Sequence, residues 1–337
     1  MASTTRPDRD PLDRILSHQV DVITRRQALA AGVTANALRH RLRVGGPWRG
    51  LLPGVYMAAT GTPTIVQQQM AALLYAGRGS VITGLAAARH HRIRVPATAL
   101  TDVLIPASRR RRDAAFVRLH RTTRMPDRVS PFGPLRYVLS ARAVADTVRS
   151  LDSLREVRAV VADAVQRGSC AVPDLVAELI AGPNAGSALF REALTDVADG
   201  ICSVAEGELK DLLARSGLPM PLFNPMVYAG DHFIARPDAW WPELGLAIEV
   251  DSREWHLSPE DHAETLVRGR RMAIYQLNVL RFTPKQIRTE PAQVVAEIRA
   301  AMESARDRPP LNLRTVPSGE ALQRVGRPGV VSGRQSG

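Results

Sequence analysis

The stretch RPDAWWPELGLAIEVDSREWH, residues 236–256, reads as two short strands joined by the turn PELG. Leu246, Ile248 and Val250 alternate along the second strand, which places all three side chains on one face. Because aliphatic and β-branched residues favour the pleated, buried environment of a sheet, we expect this strand to lie in the sheet interior. The stretch therefore predicts a strand pair whose second strand is central in its sheet.

Three carboxylates occupy the other face of this strand pair. A turn at PELG places Asp238 directly across from Glu249, and strand alternation places Asp251 on the same side as Glu249. Like charges directly opposite each other destabilise a sheet. A hard divalent cation, Mg²⁺ or Mn²⁺, would compensate such a cluster, because these ions prefer oxygen ligands. The alternative is a solvated sheet face on which the acidic side chains spread apart.

The 337-residue chain carries a formal net charge of +12, and this charge is unevenly distributed. Residues 1–197 contain 28 arginines and 15 acidic residues, whereas residues 198–337 contain 17 basic and 18 acidic residues. Positive charge concentrated in one part of a chain favours a polyanionic partner such as nucleic acid. Arginine greatly outnumbers lysine, a bias that a GC-rich genome explains as readily as phosphate binding does.

Composition also argues against several classes of protein. No apolar run reaches the roughly 18 residues of a membrane-spanning helix, and the first residues lack the apolar region of a secretion signal. The two cysteines, Cys170 and Cys202, form no CxxC pair, which argues against a structural zinc site or a disulfide framework. We expect a cytoplasmic, globular protein of two or three domains that does not associate with a membrane.

The segment VITRRQALAAGVTANALRHRLRVGGPWRGLLPGVYMA predicts a winged helix-turn-helix. Thr24 and Thr34 are capping residues for two short helices separated by a glycine turn, and a β-ribbon follows. In this layout the second helix enters the major groove of DNA. We expect Arg39, Arg41 and Arg43 to contact DNA from that helix. The alternative is a small helical domain with a solvated arginine face.

A run of four arginines lies between the strand-like segments TDVLIPA and FVRLHRT, where we expect a hairpin loop. Adjacent like charges repel one another unless a polyanion compensates them. The run therefore predicts phosphate contacts, with a solvated loop as the alternative. It consists of Arg109, Arg110, Arg111 and Arg112.

The segment SVAEGELKDLLARS predicts a helix shortly before the acidic stretch. Ser203 and Glu206 form the capping-box pattern S-x-x-E, and Gly217 ends the helix. Lys210 follows Glu206 by one helical turn, at the spacing of an ion pair. We expect these two side chains to pair.

Five elements in this order resemble the PD-(D/E)XK nuclease core, and most closely the very-short-patch-repair endonuclease-like family. They are SVAEGELKDLL, RPD at 236–238, AIEVD at 247–251, WH at 255–256 and VLRFT at 279–283. The resemblance covers about residues 200–300 and implies a mixed-sheet endonuclease fold and Mg²⁺ or Mn²⁺ as the cofactor. Two departures are that Asp251 stands where the general motif has Lys, and that Ser252 stands where the family usually has Gly.

The resemblance implies a role for each matched residue. Asp238 and Glu249 would bind the metal, with the main-chain carbonyl of Val250 as a further ligand. His256 would be the general acid or base. Asp251 would belong to the catalytic set, and Glu206 would be an outer ligand or would orient a water molecule.

The first 150 or so residues resemble the abortive-infection type IV antitoxin-like family, in which a winged helix precedes a small α/β domain. ITRRQALAAGVT, WRGLLPGVY and LSARAVADTV are the segments that resemble it. The resemblance implies DNA binding, regulation of a promoter and a cognate toxin-like protein as a partner.

The predicted fold class is multidomain α+β, with a winged helix-turn-helix, a small α/β middle domain and a C-terminal restriction-endonuclease-like α/β domain. The predicted function is a DNA-binding, Mg²⁺-dependent endonuclease in DNA repair or in defence against phages and mobile elements. The alternative is a non-catalytic transcriptional regulator or antitoxin-like protein. The expected segments are a disordered start (1–12), the winged helix (13–58), the antitoxin-like region (59–198), the endonuclease-like domain (199–306) and a disordered tail (307–337).

Overall fold

The computed structural model describes residues 10–201, 203–251 and 259–317. The chain divides into two compact units, which we call the N-terminal unit and the C-terminal unit. The N-terminal unit contains the residues up to 152 together with 163–187, and the C-terminal unit contains 153–162 and the residues from 188 onward. Within the described ranges the protein is mixed α+β, with two antiparallel sheets and two mixed sheets. None of the helices found there combines the length and apolar character needed to cross a membrane.

The N-terminal unit begins with a helix, a strand, two short helices and a hairpin. Thr24 and Thr34 cap the two short helices, as predicted, by accepting hydrogen bonds from the main-chain N–H groups of Gln27 and Ala37. The three strands form an antiparallel sheet in the order β1-β3-β2. The elements are α1 (Pro11–His18), β1 (Val22–Thr24), α2 (Arg25–Ala30), α3 (Ala35–Arg41), β2 (Arg49–Leu52) and β3 (Val55–Met57).

The first described helix overlaps the end of the segment expected to be disordered. Helix α1 begins at Pro11, inside the segment expected to be disordered, and the Asp10 side chain caps it by accepting from the Leu12 N–H at 3.0 Å. Proline is well suited to a first helical turn, where its missing N–H has no partner to lose. Residues 1–9 lie outside the described ranges.

The remainder of the N-terminal unit is a five-stranded mixed sheet with helices. Its strand order is β6-β5-β4-β8-β7. The elements are α4 (Ile65–Ala76), β4 (Val81–Thr83), α5 (Gly84–His90), β5 (Thr101–Pro106), β6 (Val117–Thr122), β7 (Ser130–Phe132), β8 (Leu135–Tyr137), α6 (Ser140–Val148), α7 (Leu154–Gln166) and α8 (Val172–Ala181). Helix α7 continues from residues assigned to the C-terminal unit.

The expected hairpin around the arginine run is wrong. Strands β5 and β6 pair in parallel, with Thr101 aligned to Val117 and Pro106 to Thr122. Parallel strands require a connection that returns along their length, and residues 107–116 make that return. The arginine run therefore lies along a crossover segment, not at the tip of a turn.

The C-terminal unit has a four-stranded mixed sheet in the order β14-β13-β12-β9 and a three-stranded antiparallel sheet in the order β11-β10-β15. Helix α10 begins after Ser203 and ends at Gly217, as the sequence predicts. The elements are α9 (Ala188–Ala198), α10 (Val204–Ser216), β9 (Leu222–Phe223), β10 (Met226–Ala229), β11 (His232–Ala235), β12 (Ala239–Trp241), a 3-10 helix (Pro242–Leu244), β13 (Leu246–Val250), α11 (Pro259–Ile274), β14 (Asn278–Phe282), α12 (Pro284–Thr289), α13 (Pro291–Ala305) and β15 (Arg314–Val316).

The predicted strand pair at the opening stretch is confirmed, including its register. Ala239 pairs with Ile248 and Trp241 with Leu246 across the turn, which Gly245 closes in a left-handed conformation (φ 59°). Strand β13 lies between β12 and β14, so it is an interior strand. Its apolar face joins a core with residues of α10, α12 and α13.

Part of the predicted disordered tail is a strand. β15 pairs antiparallel with β10, and Trp240 Nε1 donates a hydrogen bond of 3.1 Å to Thr315 Oγ1. Leu311 and Leu313 pack against the buried cluster that contains Trp240. The guanidinium of Arg314 lies 4.6 Å from the ring centre of Tyr228. The Pro/Gly-rich composition concealed these contacts because only a few apolar residues make them. Residues 318–337 lie outside the described ranges.

The predicted domain boundary at 198/199 falls inside the C-terminal unit. Arg158, whose side chain is 6% exposed, pairs with Asp196 at 2.7 Å and with Asp211. A buried guanidinium needs such partners, because an unpaired buried charge is strongly destabilising. These contacts join residues 153–162 and α9 to α10, so these segments belong with the acidic stretch.

Candidate functional site

The strand pair β12–β13 places Asp238 beside the interior strand. The Asp238 N–H donates to the Ile248 carbonyl at 3.0 Å, which continues the antiparallel ladder by one residue. The Asp238 carboxylate then accepts a 2.6 Å hydrogen bond from the Val250 N–H. Asp238 is thus held by the main chain on both sides, and its carboxylate is fixed against β13.

Helix α10 supplies a further carboxylate, which is buried. Glu206 lies in its first turn and is 8% exposed. The Asn224 side chain donates to Glu206 Oε2 at 2.6 Å and to the Gly200 carbonyl at 3.0 Å. The Asn224 N–H also donates to the Asp238 carbonyl at 3.1 Å. Asn224 therefore connects the helix to the strand pair, a role that nothing in the local sequence pattern indicated.

The carboxylates of Asp238, Glu206 and Glu249 are close enough to affect one another. Burial and repulsion from Glu206 raise the pKa of Asp238 from 3.8 to about 7, with a smaller contribution from Glu249. The Val250 hydrogen bond and the positive charge of Arg268 act in the opposite direction. A carboxylic acid with a pKa near neutrality in such a cluster is typical of functional sites.

A cation that the sequence analysis missed contacts this cluster. Arg268, on α11, places a guanidinium nitrogen 2.6 Å from Glu249 Oε2. Its Nε is buried and has no hydrogen-bond partner within the described ranges. No pattern in the sequence around Arg268 indicated this contact.

The other residues predicted for this site differ in where they lie. Asp251 directly follows β13, is exposed, and donates its N–H to the Phe282 carbonyl at 2.8 Å. His256, Trp255 and Ser252 lie outside the described residues. The expected pairing of Lys210 with Glu206 is wrong: Lys210 pairs with acidic residues of the preceding loop and of α9. These partners are Asp196 at 2.9 Å and Asp199 at 2.7 Å.

The donor chemistry of the cluster is that of a hard cation. Carboxylate oxygens and a main-chain carbonyl are the ligands that Mg²⁺ takes, commonly with only one or two carboxylates and the remaining positions filled by water. Across the residues that the structure describes, no group of three or more His, Cys, Asp or Glu side chains is arranged to hold a metal ion. Asp238 and Glu249 thus provide two carboxylates, which is a sufficient number for Mg²⁺ but not a complete protein cage.

The arginines predicted to contact DNA in the first module differ in their surroundings. Arg39 is exposed on α3, with its guanidinium 3.0 Å from the Asn36 side chain. Arg41 is half-buried, and its guanidinium lies 4.8 Å from the ring centre of Trp48. Arg43 is exposed but follows the end of α3, since the helix stops at Arg41. Two of the three side chains are therefore available on the surface.

The arginine run divides into structural and exposed members. Arg109 donates to the carbonyls of Ala76 (2.9 Å) and Arg78 (2.7 Å), at and just beyond the carboxyl end of α4. This contact satisfies carbonyls that the end of a helix leaves without partners. Arg111 lies over the ring of Tyr75 at 4.5 Å. Arg111 is nevertheless exposed, as are the remaining members, Arg110 and Arg112.

Comparison with known proteins gives two distant relatives. Two uncharacterized proteins of Mycobacterium tuberculosis, MT2308 of strain CDC 1551 and Rv2248 of strain H37Rv, are each 27% identical to this chain over 174 residues. The match covers 51% of this chain and 58% of each relative, so the chain spans little more than half of their length. No family model matches the chain.

Proposed function

We propose that the protein is a DNA-binding, Mg²⁺-dependent endonuclease whose active site is built on Asp238 and Glu249. The observation that supports this most directly is the group of three carboxylates beside an interior strand, two of them buried, with the pKa of Asp238 raised to about 7. Such a group costs stability in the absence of a cation, because desolvated charges of one sign repel. A metal-binding role accounts for its presence.

Each residue of the site has a part in this proposal. Asp238 and Glu249 would hold the metal, together with the Val250 carbonyl. When bound, Mg²⁺ or Mn²⁺ supplies an activated water and neutralises negative charge on a phosphate. Asn224 orients the Glu206 carboxylate, and Arg268 pairs with the Glu249 carboxylate.

The arginine-rich N-terminal unit would provide affinity for DNA. Its opening elements, with two short capped helices and a three-stranded sheet, support the winged helix-turn-helix expected from the sequence. Arg39 and Arg43 on and after α3, and Arg110 and Arg112 on the crossover segment, are exposed and suited to phosphate contacts. Phosphate contacts give affinity without reading sequence.

The experiment is nicking of supercoiled plasmid by the full chain, with Mg²⁺ or Mn²⁺ and with a chelator. We expect nicking only when a divalent metal is present. His256→Ala should lower nicking while leaving the rise in melting temperature on addition of Mg²⁺ intact, because the metal ligands remain. A wild-type protein that neither nicks nor changes its melting temperature with either metal would refute the nuclease proposal.

A second proposal is a non-catalytic DNA-binding regulator of the antitoxin type. The observation in its favour is Arg268, which already occupies the side of Glu249 with a 2.6 Å contact and so neutralises part of the cluster without a metal. This proposal predicts DNA binding of unchanged affinity with and without Mg²⁺, and no cleavage. The plasmid assay and a DNA-binding titration therefore separate the two.

A further inference from the structure

The N-terminal unit contains a cleft of about 280 Å³ that takes no part in the function proposed above. Residues of β4, β5, β6 and α6 line it. Several of its lining side chains are polar and buried: Thr83 is 1% exposed, Asp102 7% and Arg142 8%. Charged residues are rarely buried unless they are paired. A cleft lined by several buried polar side chains is therefore a candidate binding site.

Both acids of the cleft are paired with neighbouring groups. The Asp146 carboxylate accepts from Thr83 Oγ1 at 2.6 Å and from Arg142 Nε at 2.8 Å. Asp102 Oδ1 lies 2.7 Å from Nε2 of His120, whose imidazole remains 44% exposed at the cleft. The acids thus fix the positions of the basic groups around the cleft.

Arg149 lines the cleft, and its contacts, so far as the structure describes them, are all long. Its guanidinium is 3.2 Å from the Ala145 carbonyl, 3.4 Å from the Glu178 carbonyl and 3.7 Å from the Asp146 carboxylate. Charge-assisted hydrogen bonds are usually about 2.7–2.9 Å. The side chain is 12% exposed, and its buried Nε has no partner in the described ranges.

Two further observations describe the space and the charges around Arg149. A Cβ atom at position 182 would lie 2.1 Å from Arg149 Nη2, so the glycine there leaves room for the guanidinium. Burial has the largest effect on the Arg149 pKa and lowers it, and repulsion from Arg142 and Arg124 acts in the same direction, whereas the charges of Asp146 and Glu178 raise this pKa. An anion in the cleft would add to the charge of the distant Asp146 carboxylate and could accept from the Arg149 Nε.

We propose that this cleft binds the phosphate group of a small molecule, with Arg149 and His120 as its main contacts. Arginine and histidine are donors suited to phosphate oxygens. The volume of about 280 Å³ lies just below the roughly 300–1,000 Å³ of ligand pockets, which allows a phosphate with a small organic group. The phosphate group belongs to a free metabolite and not to a DNA backbone. Arg149 is mostly buried, whereas the convex backbone of a duplex can contact only exposed side chains.

The test is isothermal titration of the full chain with inorganic phosphate and with ribose 5-phosphate at constant ionic strength. We expect saturable binding at one site per chain, tighter for ribose 5-phosphate. Arg149→Gln and His120→Asn should each weaken binding at least tenfold. Because His120 is partly exposed, His120→Asn keeps the test valid if Arg149→Gln fails to fold.

The control is Arg94→Gln, which removes an arginine that is 82% exposed and lies outside the cleft. Binding should be unchanged in this variant. No saturable binding of either probe, or equal weakening in Arg94→Gln, would overturn the proposal. Displacement of ribose 5-phosphate by duplex DNA would assign the phosphate to a nucleic-acid backbone and would also overturn it.

Discussion

At the scale of single residues, the protein keeps a carboxylic acid in an environment that disfavours its charge. Asp238 accepts a short hydrogen bond from Val250 N–H, yet burial and the carboxylates of Glu206 and Glu249 raise its pKa to about 7. The register of β12 against β13 was predictable from the turn PELG, and this register places Asp238 opposite Glu249. The contribution of Asn224 was not predictable, because residues distant in sequence create it.

The raised pKa of Asp238 makes the stability of the metal-free protein depend on pH. Between the unfolded value of 3.8 and the folded value of about 7, the folded state retains a proton that the unfolded state has lost. Stability should therefore fall as pH rises through this window, by up to about 1.4 kcal/mol for each unit of the pKa difference.

Asp238→Asn removes this titration, so the variant should be more stable than the wild type at pH 8 and similar to it near pH 4. Urea unfolding in the presence of a chelator, at several pH values, measures the difference. Glu243→Gln, at an exposed carboxylate in the neighbouring turn, should reproduce the wild-type profile. A pH profile that is the same in wild type and Asp238→Asn would contradict the raised pKa.

At the scale of elements, helix-capping residues and hydrophobic alternation were the patterns that correctly predicted helices and strands. Thr24, Thr34 and Ser203 begin helices as expected, and β13 is interior. The error at the arginine run has a physical reason: the composition of two strands does not reveal whether they pair in parallel or antiparallel. Only the partners of each strand decide the direction, and those partners are distant in sequence.

The arginines at α3 should determine DNA affinity unequally. Replacing Arg39 and Arg43 by Ala should weaken binding and reduce the salt dependence of the logarithm of the binding constant by about one for each phosphate that the variant no longer neutralises. Adding Arg41→Ala should also lower thermal stability, because it removes the stacking on Trp48. Titration of labelled duplex at several salt concentrations measures both the affinity and its salt dependence. If neither changes, the assignment of α3 as the recognition helix is wrong.

The members of the arginine run should separate into two classes of variant. Arg109→Ser should lower the stability of the N-terminal unit by about 1 kcal/mol, because it removes the hydrogen bonds to the carbonyls at the end of α4. Arg110→Ser with Arg112→Ser should leave the melting temperature unchanged and weaken binding to all DNA sequences about equally. Thermal melts and duplex titrations with several sequences measure the two effects. A drop in affinity restricted to one sequence would indicate base contacts instead.

At the scale of the whole molecule, the sequence located the acidic site and the alternation of helices and strands, but not the limits of the compact units. Composition marks a boundary only where a linker is polar, whereas here the Arg158 ion pairs bring residues 153–162 into the C-terminal unit. The same limitation hid β15, because only a few apolar residues next to it pack against the cluster around Trp240. Contacts between side chains that are distant in sequence could not be predicted, because local sequence patterns do not contain them.

Strand β15 should contribute to the stability of the C-terminal unit. Ending the chain at Pro310 removes the pairing with β10, the Trp240 hydrogen bond and the packing of Leu311 and Leu313. We expect the free energy of unfolding to fall by about 2–4 kcal/mol. Urea unfolding followed by tryptophan fluorescence measures it. A chain ending at Pro317 retains β15 and is the control; an equal decrease in both truncations would contradict the role of this strand.

The most direct test of the central claim is the rate of plasmid nicking by Asp238→Asn in Mg²⁺, compared with Glu243→Gln and the wild type. Asp238→Asn keeps the shape of the side chain but removes the charge that would bind the metal, so nicking should fall by at least about 100-fold. Glu243→Gln should nick at the wild-type rate, because its carboxylate lies outside the cluster. Nicking that persists unchanged in Asp238→Asn would contradict a metal-dependent active site at these carboxylates.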